Sequence, residues 1–327
     1  MKKTLCFVMG IQVLVLFTIV APVFAQGKYP ERPVKILVGF SPGGSMDFAA
    51  RLVAEKLTKA LGQSFYVENR PGANSRIAAE LAANAKPDGY TLYLFSHNDT
   101  INAALYPNLR YDIFKDFTPV TRVHTTPYLL TVHPSLPVKT VKDLIELAKA
   151  KPGQIEYGSA GIGNGSHFAT ELFLSMASIE MVHVPYKGSG AILADLYSGE
   201  VQFVLNSVIS LTPGVKQGRI RPIAISTKTR LPLYPDVPTV DESGLPGYVV
   251  EGVWSSIAGP GGTPKPIVTL LNREIVKFLK EPDTVKYLEK SGGSPAGCTP
   301  EEAGEIIKSE FDRWSNIAKA RGIIVKQ

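Results

Sequence analysis

The pattern that most limits what this chain can become is a repeated unit of strand, glycine-rich turn and helix. It first occurs at Val34 to Phe40, a β-branched apolar run that reads as a buried strand. The turn Ser41-Pro42-Gly43-Gly44-Ser45 follows. Met46 to Leu61 then places Phe48, Leu52, Val53, Leu57 and Leu61 at helical spacing, with Gly62 as the stop. Ser64 to Glu68 reads as a strand, Ser75 to Ala85 as an alanine-rich helix and Tyr90 to Phe95 as a strand. Strands that alternate with helices predict an α/β fold with a mainly parallel sheet.

A second block repeats the pattern. Thr140 to Lys151 is an expected helix, Ile155 to Ser159 a strand, His167 to Ala177 a helix and Met181 to Val184 a strand. Ala191 to Tyr197 (helix), Val201 to Leu205 (strand) and Ile220 to Ser226 (strand) complete it. The tail offers one strand, Val249 to Ile257, and three helices, Pro266 to Lys280, Thr284 to Lys290 and Pro300 to Ala320. One strand cannot make a sheet, so the tail must pack on a lobe already built. The expected division is lobe 1 from residues 26–125 plus 226–327, and lobe 2 from residues 126–225, with crossings near 122–130 and 224–230. Two crossings make a hinge between lobes that close around a ligand.

The chain opens with an address. Lys2 and Lys3 precede an almost unbroken apolar run from Thr4 to Val20, and Ala21-Pro22-Val23-Phe24-Ala25 supplies a helix breaker and small residues before a cut. This is a secretory signal peptide, residues 1–25, with cleavage expected after Ala25; the competing reading is an uncleaved anchor. Cleavage removes Cys6 and leaves Cys298 alone, so no internal disulfide is available to the mature protein. No later apolar run reaches membrane-spanning length. The net charge of +6 is scattered, without a run of five or six basic residues, which gives a nucleic-acid partner little compositional support, and none is expected.

Chemistry in an open α/β sheet belongs beyond the carboxyl ends of strands. Two junctions stand out there, one per block: Phe40-Ser41-Pro42-Gly43-Gly44-Ser45-Met46-Asp47 and Gly158-Ser159-Ala160-Gly161-Ile162-Gly163-Asn164-Gly165-Ser166-His167. Glycines let the main chain approach a ligand, and the free N–H groups of a helix start carry partial positive charge. Together they make an anion site that needs no lysine or arginine. Ser41, Ser45, Ser159 and Ser166 add hydroxyls, and Asp47 reads as a cap that orders the first loop. A tight turn without a ligand is the plain alternative for either loop. Neither loop fits a nucleotide fingerprint, and no G-x-x-x-x-G-K-[ST] exists, so no cofactor is expected. The histidines, at 97, 124, 133, 167 and 183, show no metal-ligand spacing, and no metal site is expected.

These segments, in this order, resemble the solute receptors of tripartite tricarboxylate transporters, the Bug family, over nearly the whole mature chain. The carrying features are Tyr29-Pro30-Glu31-Arg32-Pro33, the two glycine loops, Asn69-Arg70-Pro71-Gly72, Lys86-Pro87-Asp88-Gly89-Tyr90, Val184-Pro185-Tyr186-Lys187-Gly188, Gly199-Glu200-Val201-Gln202-Phe203 and Pro235-Asp236-Val237-Pro238. The resemblance implies a two-lobed periplasmic-binding-protein fold of the type II, Venus-flytrap kind with two crossover strands. It implies a monomeric periplasmic receptor that holds a small organic carboxylate and docks on membrane transporter subunits. Carried over, the first-loop contacts are Phe40, Ser41, Gly43, Gly44, Met46 and Asp47, and the second-loop contacts are Ser159, Gly161, Gly163, Ser166 and His167. Cleft-lining positions are Asn69, Ser96, His97, Tyr186, Lys187, Gly188, Asn206 and Ser207.

The polar stretches Ser96-His97-Asn98 and Asn206-Ser207 suggest a hydrogen-bonding far end and favour a dicarboxylate, while Phe40 and Tyr186 leave aromatic acids open. Two other functions stay in play. The closed receptor could report to a membrane sensor kinase and not to a permease. A secreted hydrolase is the third reading, and it lacks a visible nucleophile–base spacing: Gly158-Ser159-Ala160-Gly161 is not G-x-S-x-G.

Overall fold

The computed structural model describes residues 29–321, with side chains to Asn316, so the expected signal peptide and its cleavage site lie outside the described residues. The first lobe begins with β1 (Val34–Val38), α1 (Ser45–Leu61), β2 (Phe65–Asn69), α2 (Arg76–Ala83), β3 (Thr91–Ser96), α3 (His97–Leu105) and β4 (Phe117–Thr126). The second contains β5 (Tyr128–Val132), α4 (Val141–Ala150), β6 (Glu156–Ser159), α5 (Gly165–Ala177), β7 (Val182–Pro185), α6 (Ser189–Ser198), β8 (Phe203–Ser207), α7 (Val208–Lys216) and β9 (Arg221–Ile225). The tail supplies β10 (Val253–Pro260), α8 (Lys265–Leu279), α9 (Pro282–Ser291), β11 (Ser294–Pro295) and α10 (Pro300–Arg321).

The first sheet has the order β11-β4-β10-β3-β1-β2 and the second β7-β6-β8-β5-β9. β1 runs parallel to β2 and β3, and β6 parallel to β7 and β8. The sheets are mixed, because β10 enters antiparallel between β3 and β4, and β5 antiparallel between β8 and β9. These inserted strands carry the chain between lobes. Every residue of β5, β8 and β10 is buried, as expected of strands covered on both faces.

Local chemistry fixes the helices that position the cleft. α1 turns Met46, Ala49, Ala50, Leu52, Val53 and Leu57 inward and ends at Gly62, whose φ of 71° lies in the left-handed region. α4 starts with a reciprocal cap: Thr140 Oγ1 accepts from Asp143 N at 3.1 Å, and Asp143 Oδ2 accepts from Thr140 N at 3.0 Å. α3, α7 and the pair β4–β5 were not anticipated from sequence. α3 is opened by Ser96, whose N–H donates to Asp99 Oδ2 at 2.7 Å, and α7 carries Pro213 inside it, which hides its helical pattern.

The return crossing differs from the expected one near 224–230. Residues after Ile225 stay with the second lobe: Val240 N donates to Ile225 O, Val250 N donates to Ser226 O, and the buried Tyr248 donates from its hydroxyl to Ala169 O in α5 at 2.8 Å. The boundary at 226 therefore falls too early. Val240, Leu245 and Tyr248 are apolar and find their burial against Phe173 and its neighbours, not in the first lobe. The chain crosses back at Gly252, where φ is 102° and an added Cβ would lie 2.6 Å from Pro127 Cα on the other crossing. The two crossings are thus pressed together.

Candidate functional site

The lobes meet along the loops that follow their parallel strands. Ser41 N and Ser41 Oγ both donate to Lys187 O, at 3.1 and 2.9 Å. Ser45 N donates to Ser210 Oγ and Gly165 N to Asn98 Oδ1, each at 2.9 Å, and Asn74 Nδ2 donates to Gly163 O at 3.2 Å. Each bond joins one lobe to the other. Enclosed between them is a cavity of about 20 Å³, space on the scale of one water.

Four helix starts border this cavity, and a fifth begins close by. Gly44, Ser45 and Met46 line it from α1, His97 and Asn98 from α3, Asn164 and Ser166 from α5, Ser189 from α6, and Asn206 stands just before α7. Their partial positive charges add in one place that water barely enters. No Asp or Glu lines it, so nothing in the wall neutralises that field. The main-chain N–H groups of Met46 and Ser189 have no hydrogen-bond acceptor among the described residues. Asn206 is more telling still. Its Oδ1 accepts from Ser189 Oγ at 2.8 Å and Ser207 N at 2.7 Å, while its buried Nδ2 has no partner among the described residues. A buried donor left open costs free energy, so its position implies an acceptor that the protein does not supply.

The other expected residues divide into supports and rim. Asp47 accepts from Gly43 N at 3.0 Å, Arg51 Nε at 2.8 Å and Asn69 Nδ2 at 3.0 Å, so it braces the first loop and does not line the cavity. Burial raises its pKa, but the Arg51, Gly43 and Asn69 hydrogen bonds outweigh this and hold it below the usual carboxylate range. Asn69 also donates to Phe40 O, and Gly43 turns the loop with φ of 83°. Ser96 and Ser207 cap α3 and α7. Gly161, Tyr186 and Lys187 line an outer groove of about 460 Å³, whose walls share Phe40 and Ala160 with the inner cavity. Gly188 lies against Phe40 and Ser41 at the rim, and Tyr186 spends its hydroxyl on Asp195 at 2.6 Å.

His97 lines the cavity, with Nε2 3.4 Å from the Tyr128 hydroxyl, and burial lowers its pKa to about 4, so it is neutral at neutral pH. His167 turns away. Its Nδ1 accepts from Gly163 N at 3.2 Å, which requires a neutral ring and makes it a brace of the second loop, while its Nε2 lies 3.8 Å from Glu171 Oε1. It stacks on His183, centroids 4.2 Å apart. His183 Nε2 in turn lies 2.6 Å from Ser159 Oγ. That pair meets the distance test for a nucleophile and base, but Ser159 is fully buried outside the cavity wall and no carboxylate is bonded to His183 among the described residues. Among the described residues no cluster of His, Cys, Asp and Glu could hold a metal ion, and no helix is long and apolar enough to cross a membrane.

Ser45 and Asn98, read from sequence as polar groups near the site, line the cavity, and so do Tyr128, Ala160, Asn164, Ser189 and Val253, which were not among the expected contacts. Asn98 and Asn164 sit beside helix starts, and a Ser or Asn there is a legible cap signal. Tyr128 and Val253 come from the two crossings and have no local signature. A larger cavity of about 520 Å³ lies beside those crossings, between Arg122, Trp254, Glu289 and Arg313, away from the glycine loops.

Comparison with known proteins follows the same lines. Residues 49–323 match the profile of the family described as "Tripartite tricarboxylate transporter family receptor". Protein BugT of Bordetella pertussis (strain Tohama I) is 34% identical over 310 residues, covering 94% of each chain. A solved structure described as R. palustris Rpa4515 with adipate superposes with a TM-score of 0.87 at 38% identity, covering 90% of this chain and 99% of that one. MatC (Rpa3494) from Rhodopseudomonas palustris with bound malate superposes at 0.82 with 31% identity, covering 88% and 99%. The fold is accordingly the type II periplasmic-binding-protein fold.

Proposed function

The chain belongs to the tripartite tricarboxylate transporter receptor family, and from that premise we propose that it captures a small organic carboxylate in the periplasm, between its two glycine-rich loops, and presents it to a membrane transporter. The observation that carries the reading is the buried, unpartnered Asn206 Nδ2 in a cavity ringed by helix starts and free of acidic residues. A carboxylate supplies the missing acceptors for Asn206 Nδ2, Met46 N and Ser189 N. The adipate and malate held by the two solved relatives are acids of this class.

Binding and closure are one event in this scheme. The first loop belongs to lobe 1, and the second loop, Ser189 and Asn206 belong to lobe 2. Only the closed arrangement offers all donors to one pair of oxygens, so the ligand shifts the balance toward closure by its differential affinity. Closure also expels water, which strengthens each hydrogen bond to the carboxylate. Receptors in this family have no reaction to perform, and the buried Ser159 suits a structural part.

Calorimetry with adipate, malate, citrate and hexanoate on the mature protein tests the proposal. At least one should bind stoichiometrically. Asn206→Asp keeps the acceptor for Ser189 and Ser207 but replaces the open donor with a negative oxygen, and should weaken binding by about 100-fold or more. Failure of every acid to bind, or an unaffected Asn206→Asp, would overturn it.

A further inference from the structure

We propose that Arg76 is the residue that selects among carboxylates, by holding a second negative group of the ligand in the outer groove. The inference rests on the carboxylate reading above and names the part of the ligand that the inner cavity cannot contain. That cavity, about 20 Å³, admits no more than the oxygen end of a ligand, whereas the adjoining groove measures about 460 Å³. Phe40 and Ala160 belong to both walls, so the groove adjoins the cavity and is the space next to a molecule anchored inside.

The groove has a definite electrostatic character. Arg76 on the first lobe and Lys187 on the second line it, and no Asp or Glu does. Neither cation makes an ion pair among the described residues. Arg76 is held in place without being neutralised: its guanidinium lies over the Tyr106 ring at 3.9 Å, and its Nε donates to Ala73 O at 2.9 Å. Those contacts use the face of the group and one N–H, leaving the outer N–H pairs for a planar, bidentate acceptor. Lys187 is exposed on a flexible stem, which suits attraction more than fixed contact.

The backbone that presents Arg76 is costly to maintain. Ala73, Asn74 and Ser75 have φ values of 47°, 53° and 73°, three consecutive non-glycine residues in the left-handed region. Reciprocal amide bonds hold them there, Asn74 Nδ2 to Asn102 Oδ1 at 2.9 Å and Asn102 Nδ2 to Asn74 O at 2.7 Å, with Ser75 Oγ donating to Asp99 Oδ1 at 2.9 Å. Such over-determined strain is found where a group must be held in one place. The expected far-end donors are elsewhere: Ser96 and Ser207 are spent on caps, and His97 and Asn206 belong to the inner cavity.

Adipate and hexanoate test this directly, because they have the same carbon chain and differ in the distal carboxylate. Calorimetry on the wild-type protein should show adipate, or a neighbour from the glutarate-to-suberate series, binding about 10- to 100-fold more tightly than the matching monoacid. Arg76→Gln should collapse that ratio toward one, and Arg76→Lys should restore part of it. A merely structural arginine would weaken both ligands together and leave the ratio intact, which would overturn the inference. Equal affinities for the diacid and monoacid in the wild type would also overturn it while leaving the carboxylate reading standing. Binding of neither acid would remove both.

Discussion

Replacing Gly190 by alanine should separate lobe closure from folding. Gly190 is the second residue of α6, on the second lobe, and faces the first glycine loop across the interface. An added Cβ would overlap Pro42 O and lie 2.9 Å from Pro42 C and 3.1 Å from Gly44 N, where ordinary contact starts at 3.4 Å. All of these atoms are first-lobe main chain, which cannot rotate away as a side chain tip can. Within its own lobe the substitution suits a helix, worth up to about 1 kcal/mol. Overpacking in the closed state costs about 1–3 kcal/mol, and if this falls on the closed form alone it weakens ligand binding by about 5- to 150-fold. The assays are calorimetry with the tightest-binding acid, and thermal melting without ligand. The expected result is a melting midpoint that holds or rises together with a loss of affinity. Unchanged affinity would show that the meeting of Pro42 with Gly190 is no part of the bound state, and a midpoint reduced by many degrees would show that the clash acts on folding as well.

Two further outcomes follow from the braces around the loops. Asp47→Asn places an amide where Arg51, Gly43 and Asn69 all donate, and should lower stability by about 1–3 kcal/mol, read as a reduced melting midpoint. The buried or half-buried His97, His124 and His183 have values lowered from 6.5 to about 4, 3 and 4, chiefly by burial. The unfolded chain therefore takes up protons below pH 6.5 that the fold refuses, so the melting midpoint should fall as pH drops from about 6.5 toward 4. Asp99, raised from 3.8 to about 6 by burial, opposes this between those values, as one group against three. A midpoint that rose on acidification through this window would contradict the assignment of neutral buried histidines.

The parts of the fold legible in the sequence were those whose signals are local. β1 and α1 declare themselves through a β-branched run, a turn and a helical spacing closed by Gly62. The glycine loops rest on equally local signals, and they lie where the two lobes meet. α3 was hidden because Ser96, His97, Asn98 and Asp99 look like a polar loop, although the spacing of Ser96 and Asp99 is that of a capping box. The crossings were placed only roughly, since whether residues 226–250 lie on one lobe or the other is decided by the burial of Tyr248 against α5, a long-range event. For the same reason Tyr128 and Val253 escaped notice as cavity walls. His167 is expected as a second-loop contact, but its place in the loop does not fix which ring nitrogen faces which partner.

The insertion of β10 between β3 and β4 has a consequence for how the protein is made. The middle of the first sheet is filled by a strand that arrives only after the whole second lobe has been synthesised. Until then β3 has β1 on one side only, and β4 lacks the neighbour that joins it to the rest of the sheet. The first lobe therefore completes its sheet only once the second lobe has been made, and the strand that joins its two halves is a late one.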